Sequence, residues 1–292
     1  MSGRVVVLRA LGLGDLLTGL PALRATADAF PEHEKVLATP AALAPLVELA
    51  ELRRPAVAVN LHGRGPRSHA VLRALEPGRL VAFASGPHDG PRWREGEHEV
   101  ERWCRMLREH GIGADARRID LRAPGVDVDD DARDATLLHP GASSAARRWP
   151  PARWAAVARA EREAGRTVLL TGSAAEAPLV RAIASDAGLP RTAVRAGETD
   201  LLGLAALVAA ARRLVSGDTG VAHLATALGT PSVILFGPIS PLEWGPPADR
   251  PRHRVLWSGR CGDPHAEDVD PGLLGIGCEQ VLAELDDLER AA

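Results

Sequence analysis

The sequence predicts an α/β protein made of two doubly wound, Rossmann-like domains that face each other across a cleft. Short β-branched or aliphatic runs alternate with longer helical patterns from one end of the chain to the other. This alternation starts again after a polar stretch with Pro and Gly around residues 123–134. The length of 292 residues also suits two domains of roughly 100–200 residues each.

The composition argues against several classes of protein. Hydrophobic residues make up 46% and charged residues 25%, as is typical of a globular protein. A net charge of −3 without a block of like charges argues against nucleic acid as a partner. The longest nearly unbroken apolar run, 201–211, is far shorter than the ~20 residues that span a bilayer. The first ten residues are typical of a strand and turn rather than a signal peptide, so we expect a cytoplasmic protein, with the inner face of the membrane as a second option.

The three cysteines, Cys104, Cys261 and Cys278, are scattered along the chain. No pair of them has the spacing of a zinc ligand set. We therefore expect reduced thiols and no metal site.

The first predicted domain, residues 1–125, begins with a buried strand at Arg4–Leu8 and a Gly-rich turn at 10–14. Residues 16–30 carry apolar side chains at spacings of three or four, which predicts a helix. Pro21 lies inside this helix and predicts a kink or a restart just before it. Further strands are predicted at 57–60 and 80–83, and further helices at 66–75 and 97–109.

The acidic segment 126–134 is predicted to link the two domains. The second domain, 135–277, repeats the alternation. An amphipathic helix lies within 278–292, and packing back on the first domain is one option for it. Strands in this half are predicted at 136–139, 167–171, 214–216 and 232–236, and helices at 150–165, 175–186, 200–211, 221–228 and 279–290.

The first motif, Gly12-Leu13-Gly14-Asp15, directly follows the first strand. As a dinucleotide fingerprint it fails, because Leu17 stands where the third Gly or Ala is required, and this argues against a nicotinamide oxidoreductase. Open α/β sheets bind ligands at the carboxyl ends of their strands, where Asp15 is expected. Asp15 is therefore a candidate catalytic carboxylate, a cap of the following helix, or both.

The second motif runs from residue 139 to 150 and joins a strand end to small residues, hydroxyls and arginines. Small residues let the backbone approach a ligand, hydroxyls donate to phosphate oxygens, and Arg binds phosphate with a planar fork. Ser143, Ser144 and Arg147 are the candidate phosphate ligands. The alternative is an ordinary βα loop with solvated arginines.

The third motif, 216–223, is a Gly-flanked turn that opens a helix. The free N–H groups and the positive dipole end of such a helix suit an anion. Asp218, Thr219, Gly220 and His223 are its candidate residues, although a lone His is more often structural. Since this turn and the Ser/Arg loop lie in the same half of the chain, together they predict a diphosphate site.

Two weaker sets of candidates remain. Gly172, Glu176 and Glu198 lie in strand-end turns and either line a nucleoside pocket or serve as helix caps. His62 and Arg64 belong to a basic stretch that contacts an anionic acceptor or a membrane surface, or forms a solvated helix face.

Taken together, these motifs resemble glycosyltransferase family nine, the heptosyltransferase-like enzymes. The resemblance covers most of the chain except residues 60–125 and 258–278. It rests on five ordered segments: VVVLRALGLGDLLTGLPALRATADAFP, HPGASSAARRWPPARW, LLTGSAAE, AGETDLLGLAALVAAA and SGDTGVAHLATALGTPSVILFGPISP.

The resemblance implies a GT-B fold and an inverting reaction without metal or other cofactor. A sugar, heptose or related, passes from a nucleoside-diphosphate sugar on the second domain to an acceptor hydroxyl on the first. Asp15, in the family's Gly-Asp motif with Gly14, is the implied base. Arg147 matches the family's phosphate-binding basic residue, commonly Lys, and the family's DTG-x-x-H segment falls on 218–223. The change from Lys to Arg keeps the charge but alters the geometry, which leaves the donor preference in doubt.

The alternatives are a GT-B nucleotide-sugar epimerase and a non-catalytic sugar-nucleotide-binding protein. The sequence leaves open the sugar, the base and the oligomeric state. The acceptor is equally open among a glycan, a glycolipid and a small molecule.

Overall fold

A computed structural model describes residues 3–9, 12–38 and 54–291, so the turn expected at 10–14 lies only partly within the described residues. The chain forms two compact units, Met1–Ile119 and Asp120–Ala292. Each unit contains one parallel sheet flanked by helices, which confirms the predicted α/β fold class. Within the described residues, no helix combines the length and the apolar character needed to cross a membrane.

The described residues of the first unit form a four-stranded parallel sheet in the order β2-β1-β3-β4. Its strands are β1 (Arg4–Leu8), β2 (Glu34–Ala38), β3 (Val57–Asn60) and β4 (Arg79–Val81). In the register of the sheet, Val6 lies beside Val36 on one side and Ala58 on the other. The central strands β1 and β3 are almost wholly buried, which explains their continuous apolar sequences.

Within the described part of the first unit, the helices are α1 (Leu13–Thr18), α2 (Leu20–Ala29), α3 (Arg67–Arg73) and α4 (Glu99–Glu109). Gly19 ends α1 and precedes α2, whose first turn contains Pro21, so the predicted restart is confirmed. The core lies between the sheet and α4, where Trp103, Met106 and Leu107 are buried.

The second unit has a five-stranded parallel sheet in the order β6-β5-β7-β8-β9. Its strands are β5 (Thr136–His139), β6 (Val168–Leu170), β7 (Arg213–Gly217), β8 (Ser232–Leu235) and β9 (His253–Leu256). Its helices are α5 (Pro151–Glu163), α6 (Ala177–Asp186), α7 (Leu201–Ala210), α8 (Gly220–Leu228), α9 (Pro241–Trp244), α10 (Pro271–Leu274) and α11 (Cys278–Ala291).

The last helix, α11, packs on α5, β8 and β9 of the second unit. Arg213 Nη1 donates to the carbonyl oxygen of Leu285 at 2.9 Å and forms an ion pair with Glu289 at 3.0 Å. The segment expected as a linker, 126–134, also belongs to the second unit, because the boundary between the units falls after Ile119. Within this segment, the carboxylate of Asp129 pairs with Arg195 at 3.0 Å.

In both sheets, the first strand of the unit lies between its second and third strands. The connection after the first strand and the connection after the third strand therefore run in opposite directions and cover opposite faces of the sheet. A crevice opens between them at the carboxyl ends of these two strands. The crevice lies beyond β1 and β3 in the first unit, and beyond β5 and β7 in the second. These are the places where the topology of each unit favours ligand binding.

Two edge strands, β2 and β9, were not predicted from the sequence. Their sequences, Glu-Lys-Val-Leu-Ala and His-Arg-Val-Leu, mix charged with apolar residues. An edge strand has one open side and needs no continuous apolar run, so its sequence pattern is weak.

Candidate functional site

The loops that follow β5 and β7 bring two predicted residues of the second unit into contact. Arg147 Nη2 donates to Asp218 Oδ2 at 3.0 Å and also to the backbone oxygen of Asp218. The side chain of Asp218 is 8% exposed and that of Arg147 is 23% exposed. Arg147 Nε is buried without a hydrogen-bond partner among the described residues. A guanidinium that Asp218 holds through Nη2 therefore lies at the crevice of the second sheet.

The helix α8 begins directly beside this pair. Thr219 is its N-cap residue in extended conformation, and the Thr219 hydroxyl lies 2.9 Å from the hydroxyl of Ser216. Gly220, the first residue of α8, has no side chain that could cover the backbone N–H groups of the first turn. The positive end of the helix dipole and the Arg147 guanidinium therefore favour the same anion.

His223 also faces the Arg147–Asp218 pair. Its Nε2 lies 4.0 Å from Asp218 Oδ1, and its ring centroid lies 6.0 Å from that of Trp244 in α9. Trp244 was not among the residues predicted from the sequence. His223 thus lies close to a buried carboxylate and to an indole, near the start of α8.

Ser143 is exposed, whereas Ser144 is partly buried and donates its hydroxyl to the carbonyl oxygen of Pro264 at 2.6 Å. The segment that contains Pro264 makes two further hydrogen bonds to the same loop, both between backbone atoms. Ala146 N donates to Ala266 O at 3.3 Å, and Asp270 N donates to Ala146 O at 3.1 Å. Sequence reasoning missed this segment, because contacts made by backbone carbonyls have no residue-specific pattern.

The predicted nucleoside-pocket residues Gly172 and Glu176 lie together. A Cβ atom on Gly141 would lie 2.1 Å from Glu176 Oε1, so the carboxylate lies directly over the loop that follows β5. Glu176 Oε2 accepts from the backbone N and the hydroxyl of Ser173, both at 2.8 Å, which is a capping box. Gly197 N donates to Gly172 O at 2.9 Å, and the exposed Glu198 follows it. Three loops therefore converge around Glu176.

His139, at the end of β5, lies beneath this convergence. Its Nδ1 is 3.0 Å from the hydroxyl of Thr171, and burial lowers the pKa of the imidazole to about 4, with the carboxylate of Glu176 opposing the shift. The ring is neutral at pH 7 and supports the floor of the crevice.

In the first unit, Asp15 lies in the first turn of α1, next to the crevice beyond β1 and β3. Its Oδ2 accepts from Gly12 N at 3.1 Å, so the carboxylate does cap the helix. Its Oδ1 lies 3.7 Å from Nη2 of Arg9, a residue that the sequence analysis did not single out. The side chain is 23% exposed, so the carboxylate can still reach a ligand.

The other candidates for the acceptor side lie in different surroundings. His62 follows β3, and its pKa is lowered mainly by burial and then by the positive charge of Arg9, while Asp15 opposes the shift. His62 therefore lies within electrostatic reach of Asp15. Gly14 is in α1, one residue before Asp15. Arg64, by contrast, pairs with Glu95 at 2.7 Å, and both side chains are largely exposed.

Among the described residues, no group of three or more His, Cys, Asp or Glu side chains could hold a metal ion. All three cysteines are free.

Solved structures share this architecture over nearly the whole chain. A family 9 glycosyltransferase from Veillonella parvula is 18% identical with a TM-score of 0.76, and the match covers 99% of this chain and 98% of that one. An ADP-heptose lipopolysaccharide heptosyltransferase II from E. coli is 23% identical with a TM-score of 0.72, covering 99% and 100%. The E. coli heptosyltransferase WaaC, solved with ADP, is 18% identical with a TM-score of 0.70, covering 98% and 99%. These likenesses show a GT-B fold with Rossmann-like domains.

A comparison of the sequence with curated proteins gives no match. The family model described as glycosyltransferase family 9 (heptosyltransferase) matches residues 78–268, well over half of the chain. The chain therefore belongs to glycosyltransferase family 9.

Proposed function

We propose that this protein is an inverting glycosyltransferase that moves a sugar, heptose or related, from a nucleoside-diphosphate sugar to an acceptor hydroxyl without a metal or other cofactor. The observation that carries this proposal is the Arg147–Asp218 pair at the N-terminus of α8. A fixed guanidinium beside a helix N-terminus suits a diphosphate. Membership of family 9 supports sugar transfer as the use of that site.

The reaction follows from where charge develops. The acceptor oxygen attacks the anomeric carbon, the bond from that carbon to the diphosphate oxygen breaks, and the acceptor proton passes to the carboxylate of Asp15. Negative charge grows on the departing nucleoside diphosphate. Arg147 and the N–H groups at the start of α8 stabilise that charge, with Ser143 and His223 as further donors. The Ser144 hydroxyl already donates its proton to Pro264 O and therefore supports the loop instead.

The donor that we propose first is ADP-heptose. Its basis is that E. coli proteins of the same fold are an ADP-heptose lipopolysaccharide heptosyltransferase and a heptosyltransferase solved with ADP. The loops around Gly172, Glu176 and Glu198 form the proposed nucleoside pocket. An acceptor of the lipopolysaccharide type would bring the enzyme to the inner face of the membrane, with His62 on the acceptor side.

Asp15→Asn is the substitution that tests the proposal. Asn keeps an oxygen for the Gly12 N–H bond and so preserves the helix cap, but it cannot take the acceptor proton. We expect transfer to fall by about 100-fold or more. Calorimetric affinity for ADP should stay at the wild-type value, because ADP is proposed to bind the second unit.

The matched control is Asp28→Asn, an exposed carboxylate of the same unit that pairs with Arg118. It should transfer sugar at the wild-type rate. Undiminished transfer by Asp15→Asn would remove Asp15 from the mechanism. Conversion of the donor sugar in the absence of any acceptor would instead favour an epimerase, and binding without turnover would favour a non-catalytic nucleotide-sugar-binding protein.

A further inference from the structure

We infer that the buried Arg9–Glu99 pair positions Asp15 and keeps its carboxylate free to accept a proton. This inference rests on the proposed role of Asp15 as the base. Arg9 directly follows β1, and its side chain is only 1% exposed. It lies in the first unit, whereas the residues proposed to bind the diphosphate belong to the second.

Arg9 donates hydrogen bonds to three segments of the first unit: α1, the residue after β3, and α4. Its Nε donates to the backbone oxygen of Asp15 at 2.7 Å, and its Nη2 donates to the hydroxyl of Thr18 at 3.2 Å, so it holds both ends of α1. Its Nη1 donates to the carbonyl oxygen of Leu61, which follows β3. One guanidinium therefore sets the position of α1 relative to the crevice of the first sheet.

Glu99, in the first turn of α4, pairs with two buried arginines, with Arg9 through Oε1 and with Arg102 through Oε2. Its Oε1 accepts from Arg9 Nη2 at 3.0 Å and from Trp103 Nε1 at 2.8 Å. The guanidinium carbon of Arg9 also lies 4.9 Å from the centroid of the Trp103 ring. A buried cation needs such a partner, since an unpaired charge in the interior is costly.

The contact between Glu99 and Arg9 also affects how Asp15 is held. Because Glu99 takes the close contact with Arg9 Nη2, Asp15 Oδ1 stays 3.7 Å from that nitrogen, which is beyond hydrogen-bond distance. The other oxygen, Oδ2, is held by Gly12 N. Among the described residues, one hydrogen bond thus orients the carboxylate, while Oδ1 keeps a lone pair for the acceptor proton.

Only arginine can make this set of contacts. Its planar fork carries five donors on three nitrogens, which reach Asp15 O, Leu61 O and Glu99 in different directions. The ammonium of lysine has its three donors on one atom and cannot reach all three acceptors. Arg9→Lys should therefore keep the buried charge but lose the alignment of α1.

The test compares Arg9→Lys and Glu99→Gln with Arg105→Lys as the control. Arg105 is also in α4, its side chain is 9% exposed, and it pairs with Glu97 and Glu109 rather than with Asp15. The probes are ADP-heptose as donor and heptose-deficient lipopolysaccharide as acceptor. The readouts are kcat, KM for ADP-heptose, calorimetric affinity for ADP, and Tm.

For Arg9→Lys we expect kcat to fall about 10- to 100-fold, because a small misplacement of a reacting group has this effect. KM for ADP-heptose and the affinity for ADP should not change. Glu99→Gln should also lower kcat, since the released guanidinium turns to Asp15 Oδ1 and occupies its lone pair. Arg105→Lys should change Tm as much as Arg9→Lys does, while its kcat stays at the wild-type value.

The inference is overturned if both variants keep the kcat of Arg105→Lys, or if neither variant folds, because Arg9 would then serve the core alone. A different result, full activity of Asp15→Asn, would contradict the proposed function itself. Loss of activity in Asp15→Asn with full activity in Arg9→Lys and Glu99→Gln would leave the proposed function standing and remove only the positioning role.

Discussion

Arg147 and its neighbour Arg148 have the same charge but different surroundings. Arg147 is held by Asp218 at the start of α8, whereas the exposed Arg148 donates its Nε to the carbonyl oxygen of Ala142 at 2.9 Å. The sequence motif alone does not distinguish the two. The contact with Asp218 at the start of α8 is the reason why we propose Arg147, and not Arg148, as the phosphate ligand.

Arg147→Ala should weaken the binding of whichever nucleoside diphosphate the wild type binds. A charge-assisted hydrogen bond contributes about 1.5–3 kcal/mol, which corresponds to a loss of about 10- to 100-fold in affinity. Calorimetry with ADP, GDP, UDP and dTDP, without added metal, measures this. Arg148→Ala is the matched control and should bind like the wild type. Equal affinities of Arg147→Ala and the wild type would place the diphosphate elsewhere.

At the scale of secondary-structure elements, caps decide where the helices around the crevice begin. Asp200 Oδ1 accepts from Gly203 N at 2.7 Å and so begins α7, directly after the loop that contains Glu198. The sequence of α7 is almost entirely apolar and has no polar face to mark its start. The N-cap is therefore the main local reason for the start of α7 at Leu201.

Asp200→Ala should lower the free energy of unfolding by about 1 kcal/mol, which is typical for the loss of an N-cap. The midpoint of urea unfolding measures this change. Asp127→Ala removes an exposed carboxylate and should leave the midpoint unchanged. If the two variants had equal midpoints, the start of α7 would depend on packing rather than on its cap.

At the scale of the whole molecule, burial of neutral histidines makes stability depend on pH. Burial lowers the pKa of His69 in the first unit, and of His139 and His253 in the second, each to about 4. All three side chains are less than one-tenth exposed. In the unfolded chain, these groups titrate near their ordinary value of 6.5. The unfolded state therefore binds more protons than the folded state between about pH 6.5 and pH 4.

Stability should thus be fully present above pH 6.5 and should fall as the pH drops towards 4. The loss amounts to at most about 1.4 kcal/mol per pH unit for each histidine. The pKa of Glu161 is also lowered, from an ordinary value of 4.5, so its effect on stability falls mainly below pH 4.5. Urea midpoints measured between pH 7 and pH 5 therefore report on the histidines. His253→Asn should show a shallower dependence. A constant midpoint over this range would contradict the prediction.

The sequence predicted the α/β class and most of the strands, because buried parallel strands need continuous apolar runs. It also predicted that the loops with Arg147 and Asp218 act together, and the structure brings these two residues into contact. It missed the half-exposed edge strands β2 and β9, whose open sides relax that pattern. For Arg64 it left open a contact with an anionic acceptor or membrane surface and a solvated helix face, and the structure pairs Arg64 with Glu95, both largely exposed. Charge and spacing alone do not reveal such a partner.

The sequence by itself determined the α/β class, the break before Pro21 and the placement of Asp15 and Arg147 in the segments that follow β1 and β5. These features follow from local periodicity and from turn chemistry. Only the tertiary structure decided which charges are neighbours. Arg9 and Glu99 are 90 residues apart in sequence and Arg147 and Asp218 are 71 apart, yet each pair is in contact. Such pairs form because a cation taken out of water needs a counter-charge, and the chain can supply it from any distance in sequence.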